Sequence, residues 1–365
     1  MTGLELFGEA LWSLVSFRTL FDAAWATLLG IAVGSLPGLT ATMGVALLTT
    51  LTYKLPASQA ILILICMYVG AIYGGSRSAI LLNIPGTPAN AATALDGFPL
   101  ARSGRGGYAM GIATTSSAIG TLIGIVFLAV SAPLLSDLAL DFGSFEFFWL
   151  ALFGVIISGQ LTAMDAPLKG YIAGILGLLV AMVGMEGIHA HVRFTFGFSD
   201  LQGGIGLIPA MVGAFGFAEV LSVMYRRRAE LVSTTLDQVV PRFKDLWRYK
   251  FTAVRSGVIG TFVGIIPGVG EDIGAWASYA AAKRTSKEAD QFGKGSIEGL
   301  TAAETGNSAV VPGALIPALT LAVPGSAPAA VLIAALFIAN AMLLLMNIPM
   351  VSLFVRVLLV PPRFL

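Results

Sequence analysis

The chain has 365 residues, 56% of them hydrophobic and 11% charged, and its net charge is +1. Soluble domains carry about 25% charged residues, so this composition belongs in contact with membrane lipid and excludes the basic face of a nucleic-acid binder. The lone Cys66 excludes an intrachain disulfide.

In chain order, apolar stretches run from Leu20 to Leu36, Ala41 to Leu55, Ala60 to Leu82, Tyr108 to Leu135, Phe145 to Leu161, Tyr171 to Met185 and Ile205 to Tyr225. They resume at Val254–Ile266, Ile273–Ala282, Ala309–Ala322 and Ala327–Leu345, with a last short one ending near Val360. A full crossing takes about 20 apolar residues, and several of these are shorter and interrupted by Pro or Gly. Glu5 and Glu9 stand where a leader peptide would be basic, so the first stretch is expected to stay in the protein.

Basic residues mark the cytoplasmic side. Arg226-Arg227-Arg228 with Arg242, Lys244, Arg248 and Lys250 form the strongest cluster; Lys283, Arg284, Lys287 and Lys294 form a second, Arg102 and Arg105 a third. Ser136–Glu146 holds acids and no bases, and Glu186–Gly204 sets one Arg against Glu186 and Asp200, so both are expected outside. Counting crossings back from Arg226 puts the N-terminus outside as well.

The helix breakers are repeated. Gly34-Ser35-Leu36-Pro37-Gly38 returns as Gly264-Ile265-Ile266-Pro267-Gly268, and Ile84-Pro85-Gly86-Thr87-Pro88-Ala89 as Val323-Pro324-Gly325-Ser326-Ala327-Pro328-Ala329. The expectation is an all-α polytopic membrane protein of two inverted repeats, with discontinuous helices or re-entrant hairpins at the Pro-Gly motifs, as in secondary transporters. Residues 1–225 form the first repeat and 226–253 a polar cytoplasmic linker, a surface arm carrying Phe243, Leu246 and Trp247. Residues 254–365 form a second, incomplete repeat, because only one or two spans fit after Pro324.

Two constellations can do chemistry. The first runs from Tyr73-Gly74-Gly75-Ser76-Arg77-Ser78 through Asn83, Pro85, Gly86, Thr87 and Asn90 to Asp96. Helices should break there, and a broken helix exposes N–H groups and a dipole that favour an anion. Arg77, a charge inside an apolar stretch, is expected to hold a carboxylate or to pair with Asp96 or Glu304. The second comprises Gly268, Glu271, Asp272, Glu304, Asn307, Ser308, Pro324, Gly325 and Ser326, with Gly306-Asn307-Ser308 standing where Gly74-Gly75-Ser76 stands in the first half. Ser76, Arg77, Asn83, Pro85, Gly86, Thr87, Asn307, Ser308, Pro324, Gly325 and Ser326 are the expected substrate contacts. Gly38, Gly268, Asp272 and Glu304 are the expected cation-coupling positions. Asp272 with Glu271 would equally serve as a helix cap.

Other chemistry finds no support in the sequence. His189 and His191 lack the Cys or acid partners of a zinc site, and neither a Gly-x-Ser-x-Gly elbow nor a phosphate-binding Gly-rich loop is present. No enzyme activity and no cofactor is expected; Na+ or H+ would supply the energy.

Tyr73-Gly-Gly-Ser76, Leu82-Asn-Ile-Pro-Gly-Thr-Pro88, Ala94-Leu-Asp-Gly-Phe-Pro99, Pro267-Gly-Val-Gly-Glu-Asp272 and Phe292-Gly-Lys-Gly-Ser-Ile-Glu-Gly299 resemble the large membrane subunit of the tripartite tricarboxylate transporters. Ala303-Glu304 with Asn307, and Leu315-Ile316-Pro317 through Ser326, extend the resemblance over nearly the whole chain. It implies a bacterial inner-membrane permease that works with a small membrane subunit and a periplasmic solute-binding protein. Citrate-like or other carboxylates would be taken up, with coupling usually assigned to sodium. Members are longer, they often carry paired asparagines where this chain has Asn307-Ser308, and a loop expected near Ala335–Phe337 is missing. A shortened, non-transporting component that binds partners or substrate is the alternative.

Overall fold

The computed structural model describes residues 3–36, 39, 41–140, 143, 145, 148–149, 152, 167–186, 191–205, 239–266, 270–322 and 326–358. Among these, side chains at 132–140, 270–272, 317–322, 326–330, 350–358 and a few single positions are left undescribed. The expected spans Phe145–Leu161 and Ile205–Tyr225 and the Arg226 cluster lie mostly or wholly outside the described residues.

The architecture is helical: α1 (Gly3–Leu14), α2 (Phe17–Ser35), α3 (Ala41–Thr52), α4 (Ala57–Leu82), α5 (Pro88–Leu100), α6 (Gly106–Leu140), α7 (Pro167–Ala181), α8 (Phe243–Arg248), α9 (Lys250–Ile265), α10 (Gly270–Thr285), α11 (Ile297–Ala322) and α12 (Ser326–Leu358). A two-residue antiparallel pairing, Gly184–Met185 with Val192–Arg193, interrupts it. Among the described residues, four helical stretches are long and apolar enough to cross a membrane: Phe17–Ser35, Ala57–Leu82, Ala89–Ser131 and Val331–Pro349.

Local sequence sets the ends. Ser16 and Thr19 cap α2 reciprocally, Ser16 Oγ accepting from Thr19 N (3.2 Å) and Thr19 Oγ1 from Ser16 N (3.0 Å). The helix stops at Leu36, immediately before Pro37. Asn83 ends α4 in the left-handed region (φ 56°), which Asn tolerates better than most residues. The polar runs around Gly74–Ser78 and Glu304–Ser308 lie inside continuous helices. The break expected across Tyr73–Asp96 is therefore confined to Asn83–Thr87. Likewise, Ala327–Leu345 and the last short stretch are one helix, α12, with Pro349 inside it.

Glycine sets helix proximity, as it does wherever backbones must approach inside a bilayer. A Cβ on Gly30 would meet Met67 O at 2.3 Å, one on Gly34 would meet Ala71 O at 1.9 Å and one on Gly74 would meet Ile31 O at 2.4 Å. The same pattern recurs between α9 and α11. Gly260 faces Gly306 O at 2.2 Å, Gly264 faces Val310 O at 2.6 Å and Gly313 faces Thr261 O at 2.5 Å. The step that takes Gly34 to Gly264 is 230 positions; on the partner helix Gly74 goes to Gly313, a step of 239, the same that takes Pro85 to Pro324. The packing thus corrects one alignment: Gly313 stands in the place of Gly74, and Gly306 in that of Met67.

Directions follow from which residues meet. Within each pair the two helices run the same way. Asp96 of α5 touches the residues just before α11, and Thr93 touches Glu304 further along it, so α5 runs against α11. Gly120 and Gly124 of α6 meet Thr305 and Ala309 in rising order, so α6 runs with α11. The chain therefore reverses between α5 and α6, through the π-helical turn Ala101–Arg105, where Gly104 has φ 83°.

Candidate functional site

The break after α4 doubles back into the protein. A Cβ on Gly86 would lie 2.6 Å from both Gly75 Cα and Gly34 O. Asn90 bonds Ser76, and Gly97 lies on Ile80. So α5 does not continue from the end of α4. It restarts at the level of Gly75 and runs alongside the last turns of α4. The end of α2 arrives at the same level, with Ser35 Oγ donating to Gly74 O at 3.2 Å. Gly75 has no alternative: a Cβ there would sit 2.1 Å from Asn90 Oδ1.

Into this junction α11 delivers Glu304, fully buried. Thr93 Oγ1 donates to its Oε1 at 2.5 Å and Ser117 Oγ donates to its Oε2 at 2.8 Å. The acid is held by hydroxyls from α5 and α6 at once. A bare carboxylate is costly to bury, and neutral donors offset only part of that cost. A proton or a bound cation would offset the remainder. Next to it, Thr305 Oγ1 donates to Ser116 O at 3.2 Å.

Asn90 closes the junction. Its Oδ1 accepts from Thr87 N (3.1 Å) and Thr87 Oγ1 (2.8 Å), and its Nδ2 donates to Ser76 Oγ (2.9 Å). Thr87 is the N-cap of α5 and Pro88 occupies the first turn, which suits a residue without N–H. The first turn of α5, with its dipole, opens onto the junction.

Asn307 is 1% exposed and neither its Oδ1 nor its Nδ2 has a hydrogen-bond partner among the described residues. Ala303, one turn earlier on the same face, packs with Ala89 and Ala92 of α5. Because α5 and α11 run oppositely, Asn307 is carried towards the start of α5. Unsatisfied buried amides call for an explanation, and a polar ligand at the α5 N-terminus would supply one. Ser308 is buried beside it.

The remaining expected residues fall as follows. Arg77 is fully buried on another face of α4, its guanidinium 5.4 Å above the Tyr73 ring. Of the two acids expected near it, Glu304 accepts from Thr93 and Ser117, and Asp96 from Tyr279 and three peptide N–H groups. Asn83 is an exposed C-cap, while Pro85 and Gly86 are half-buried and Thr87 is buried. Gly38, Gly268, Pro324 and Gly325 lie outside the described residues, as do the side chains of Asp272 and Ser326.

Sequence reasoning missed Thr93 and Ser117. The signal was the hydroxyl run Thr114-Thr115-Ser116-Ser117 inside the apolar α6. It also missed Asn340 and Asn347, seven apart on one face of α12, which donate to Ala118 O (3.2 Å) and Thr114 Oγ1 (2.6 Å). Thr114 Oγ1 in turn meets Tyr73 Oη at 2.5 Å. Asp96 is a latch: its Oδ1 accepts from the N–H groups of Gly293 (2.8 Å), Gly295 (3.0 Å) and Ser296 (2.7 Å), and Tyr279 Oη donates to Oδ2 (2.9 Å). Gly293 and Gly295 have φ 83° and 102°, conformations that glycine permits. The Ala94–Pro99 and Phe292–Gly299 motifs therefore belong together as one joint.

The profile of the tripartite tricarboxylate transporter TctA family matches residues 20–337, from within α2 through α11, and takes in the whole junction. The chain belongs to this family. It is accordingly a multi-pass membrane protein of a transporter family, of the tricarboxylate permease type. Two similar proteins come from Agrobacterium vitis. An uncharacterized 52.8 kDa protein in the TAR-I ttuC' 3' region is 34% identical over 371 positions, covering 93% of this chain and 72% of the relative. An uncharacterized protein in the TAR-II ttuC' 3' region is 32% identical over 132 positions, covering 29% of this chain and 54% of the relative. No solved structure matches the chain.

Proposed function

We propose that this TctA-family chain is the permease subunit of a secondary, binding-protein-dependent carboxylate transporter in the bacterial inner membrane, driven by a Na+ or H+ gradient. One observation carries the reading. A fully buried acid, Glu304, is held by hydroxyls from α5 and α6 where two helix ends converge. A secondary transporter needs such a place, where a cation and an organic anion can each change the other's affinity.

The carboxylate substrate sits at the first turn of α5, facing Thr87 and the Asn307 amide, with Ser308 and the half-buried Pro85-Gly86 beside it. Arg77 supplies fixed positive charge from the neighbouring face of α4. Glu304 binds the coupling cation, and the matching Pro-Gly elements at Pro37-Gly38, Pro267-Gly268 and Pro324-Gly325-Ser326, with Asp272, complete the ion and substrate paths. Helices α2–α5 and their counterparts in the second half form inverted repeats on either side of the 226–253 linker, a reading that the opposed run of α5 and α11 supports. The N-terminus lies outside. A periplasmic solute-binding protein delivers substrate, and a small membrane subunit completes the assembly.

The test is uptake of 14C-labelled citrate, tartrate and malate into proteoliposomes that hold this chain, the small subunit and the binding protein. Uptake of at least one should require an inward Na+ or H+ gradient, and Glu304→Gln should reduce gradient-driven uptake to background while leaving the assembly intact by size-exclusion chromatography. Gradient-independent flux, or wild-type uptake by Glu304→Gln, overturns the reading.

A further inference from the structure

Helices α9 and α10 form a hairpin. Ser278 Oγ donates to Ser256 O at 3.2 Å, and a Cβ on Gly274 would lie 3.7 Å from Gly260 Cα, so the two helices run oppositely. The start of α9 thus meets the end of α10 beside the linker, where Arg255 Nη1 donates to Thr285 Oγ1. The other edge of this guanidinium is unmet. Arg255 Nε and Nη2 are shielded from solvent and have no hydrogen-bond partner among the described residues. The acids bonded to neighbouring residues are committed elsewhere. Glu288 accepts from Arg248 and from Tyr249 Oη (3.0 Å), and Glu298 accepts from Thr252 Oγ1 (2.6 Å) and Ser286 Oγ (2.5 Å). Nε and Nη2 are the edge of a guanidinium that takes two oxygens of one carboxylate or phosphate, and shielded donors without an acceptor call for one. The surroundings are those of a lipid boundary. Phe251 and Val254, on the turn before Arg255, are 78% and 54% exposed, and Phe262 further along α9 is 57% exposed. Lys250 Nζ stands 3.6 Å above the exposed Trp247 ring, and Lys283 and Arg284 are exposed in the last turn of α10. Aromatic rings and bases at the mouth of an apolar face mark the headgroup level of a bilayer.

We propose that this corner binds one anionic phospholipid from the leaflet on the linker side. Its phosphodiester takes the Nε/Nη2 edge of Arg255, Lys250 and the last turn of α10 supply the surrounding positive charge, and an acyl chain lies along α9 over Val254 and Phe262. A lipid suits the corner better than a small polar solute, because Phe251 and Val254 offer such a solute nothing and give an acyl chain a surface. None of these residues takes part in the Glu304 junction, so the inference stands or falls apart from the transport reading.

The experiment is native mass spectrometry of the purified full chain in detergent, titrated with dioleoylphosphatidylglycerol or dioleoylphosphatidylcholine. Phosphatidylglycerol should fill one saturable site and bind roughly fivefold or more tighter than phosphatidylcholine, the worth of about one basic residue near an anionic lipid surface. Arg255→Gln should weaken phosphatidylglycerol binding by roughly tenfold or more, as the loss of hydrogen bonds to a charged group does. Lys54→Gln, which removes the same charge at an exposed position after α3, should leave it unchanged. Arg255→Lys should keep the preference for phosphatidylglycerol without the wild-type affinity, since an ammonium lacks the fork; this charge-conserving variant also decides the matter if Arg255→Gln fails to fold. Equal binding of the two lipids, wild-type affinity in Arg255→Gln or Arg255→Lys, or equal weakening by Lys54→Gln overturns the proposal. So does displacement of the lipid by an equal concentration of inorganic phosphate, which would make the occupant a free anion.

Discussion

The α2–α4 and α9–α11 pairs pack through the same glycine spacing, yet their polar groups do not follow the repeat. Ser76 and Arg77 of α4 fall opposite Leu315 and Ile316 when Gly74 is set on Gly313, and Glu304 falls on Ile65. Glu304 instead lies level with Ser76 of the other half, while Gly264, at the end of α9, rests on Val310 and Ala314. That is about 9–15 Å further along α11 at 1.5 Å per residue. Backbone packing needs the same small residues in both halves, whereas one buried charge suffices for a shared site. A duplicated scaffold has thus been filled asymmetrically, with the acid of one half completing the junction of the other.

The Asp96 latch is the sharpest way to break the comparison, because its counterpart in the second half is Ala335. Asp96→Ala leaves three backbone N–H groups and a buried phenol without their acceptor. Gly293 is exposed and Gly295 half-buried, so the Ser296 N–H and the Tyr279 hydroxyl carry the penalty; at roughly 1–3 kcal/mol for each buried group left unsatisfied, the loss should be about 2 kcal/mol or more and appear as a fall in the melting temperature of the purified assembly. Asp96→Asn keeps the Oδ1 acceptor and should retain most of that stability. If Asp96→Ala melts with the wild type, the joint between α5 and the start of α11 is not what holds the halves together.

The glycine seams test whether the two pairs are packed alike. Gly34→Ala drives a Cβ to 1.9 Å from Ala71 O, whereas Gly264→Ala brings one to 2.6 Å from Val310 O. Both neighbours are backbone, and overpacking of this kind costs roughly 1–3 kcal/mol. Both variants should therefore lose stability, Gly34→Ala more than Gly264→Ala, in thermal unfolding of otherwise identical samples. Gly8→Ala, with open space around the added carbon, serves as the reference and should cost nothing measurable.

How far these features were legible depends on the range of the interaction. Apolar length and Pro-Gly punctuation located α2, α3, α4 and α6, because helix boundaries are decided by nearby residues. Glu304 stood out as an acid before an apolar run. Its partners Thr93 and Ser117 did not, since hydroxyls are unremarkable in an apolar helix until a distant helix brings a charge to them. Gly306-Asn307-Ser308 looked like a copy of Gly74-Gly75-Ser76 because both put small and polar residues together. Only the contacts of Gly260 and Gly313 reveal that the helix register is set by glycine alone. Asp96 looked like a partner for Arg77, since charge pairing is the obvious expectation; three peptide N–H groups turned into one carboxylate leave no such trace in sequence.

The smallest expected effect bears on whether the repeat extends to polar pairs at all. In the first half Gln59 Nε2 donates to Asp22 Oδ2 at 2.5 Å; in the second Thr252 Oγ1 donates to Glu298 Oε1 at 2.6 Å. The steps of 230 and 239 that superpose the glycines also carry Asp22 onto Thr252 and Gln59 onto Glu298. One hydrogen bond therefore joins the same two positions, with the acid moved from the first helix of the pair to the second. Gln59→Glu alone sets two carboxylates against each other and should destabilise, as like charges in contact do. Adding Asp22→Thr transplants the second-half pair and should recover stability to within about 1 kcal/mol of the wild type, the net worth of a typical hydrogen bond. Trp25 Nε1, which donates to Asp22 Oδ1 at 3.0 Å, loses that acceptor and accounts for any remaining deficit. A double variant no more stable than Gln59→Glu would mean that the two positions are equivalent in backbone only, and that each half evolved its polar contacts independently on a shared glycine frame.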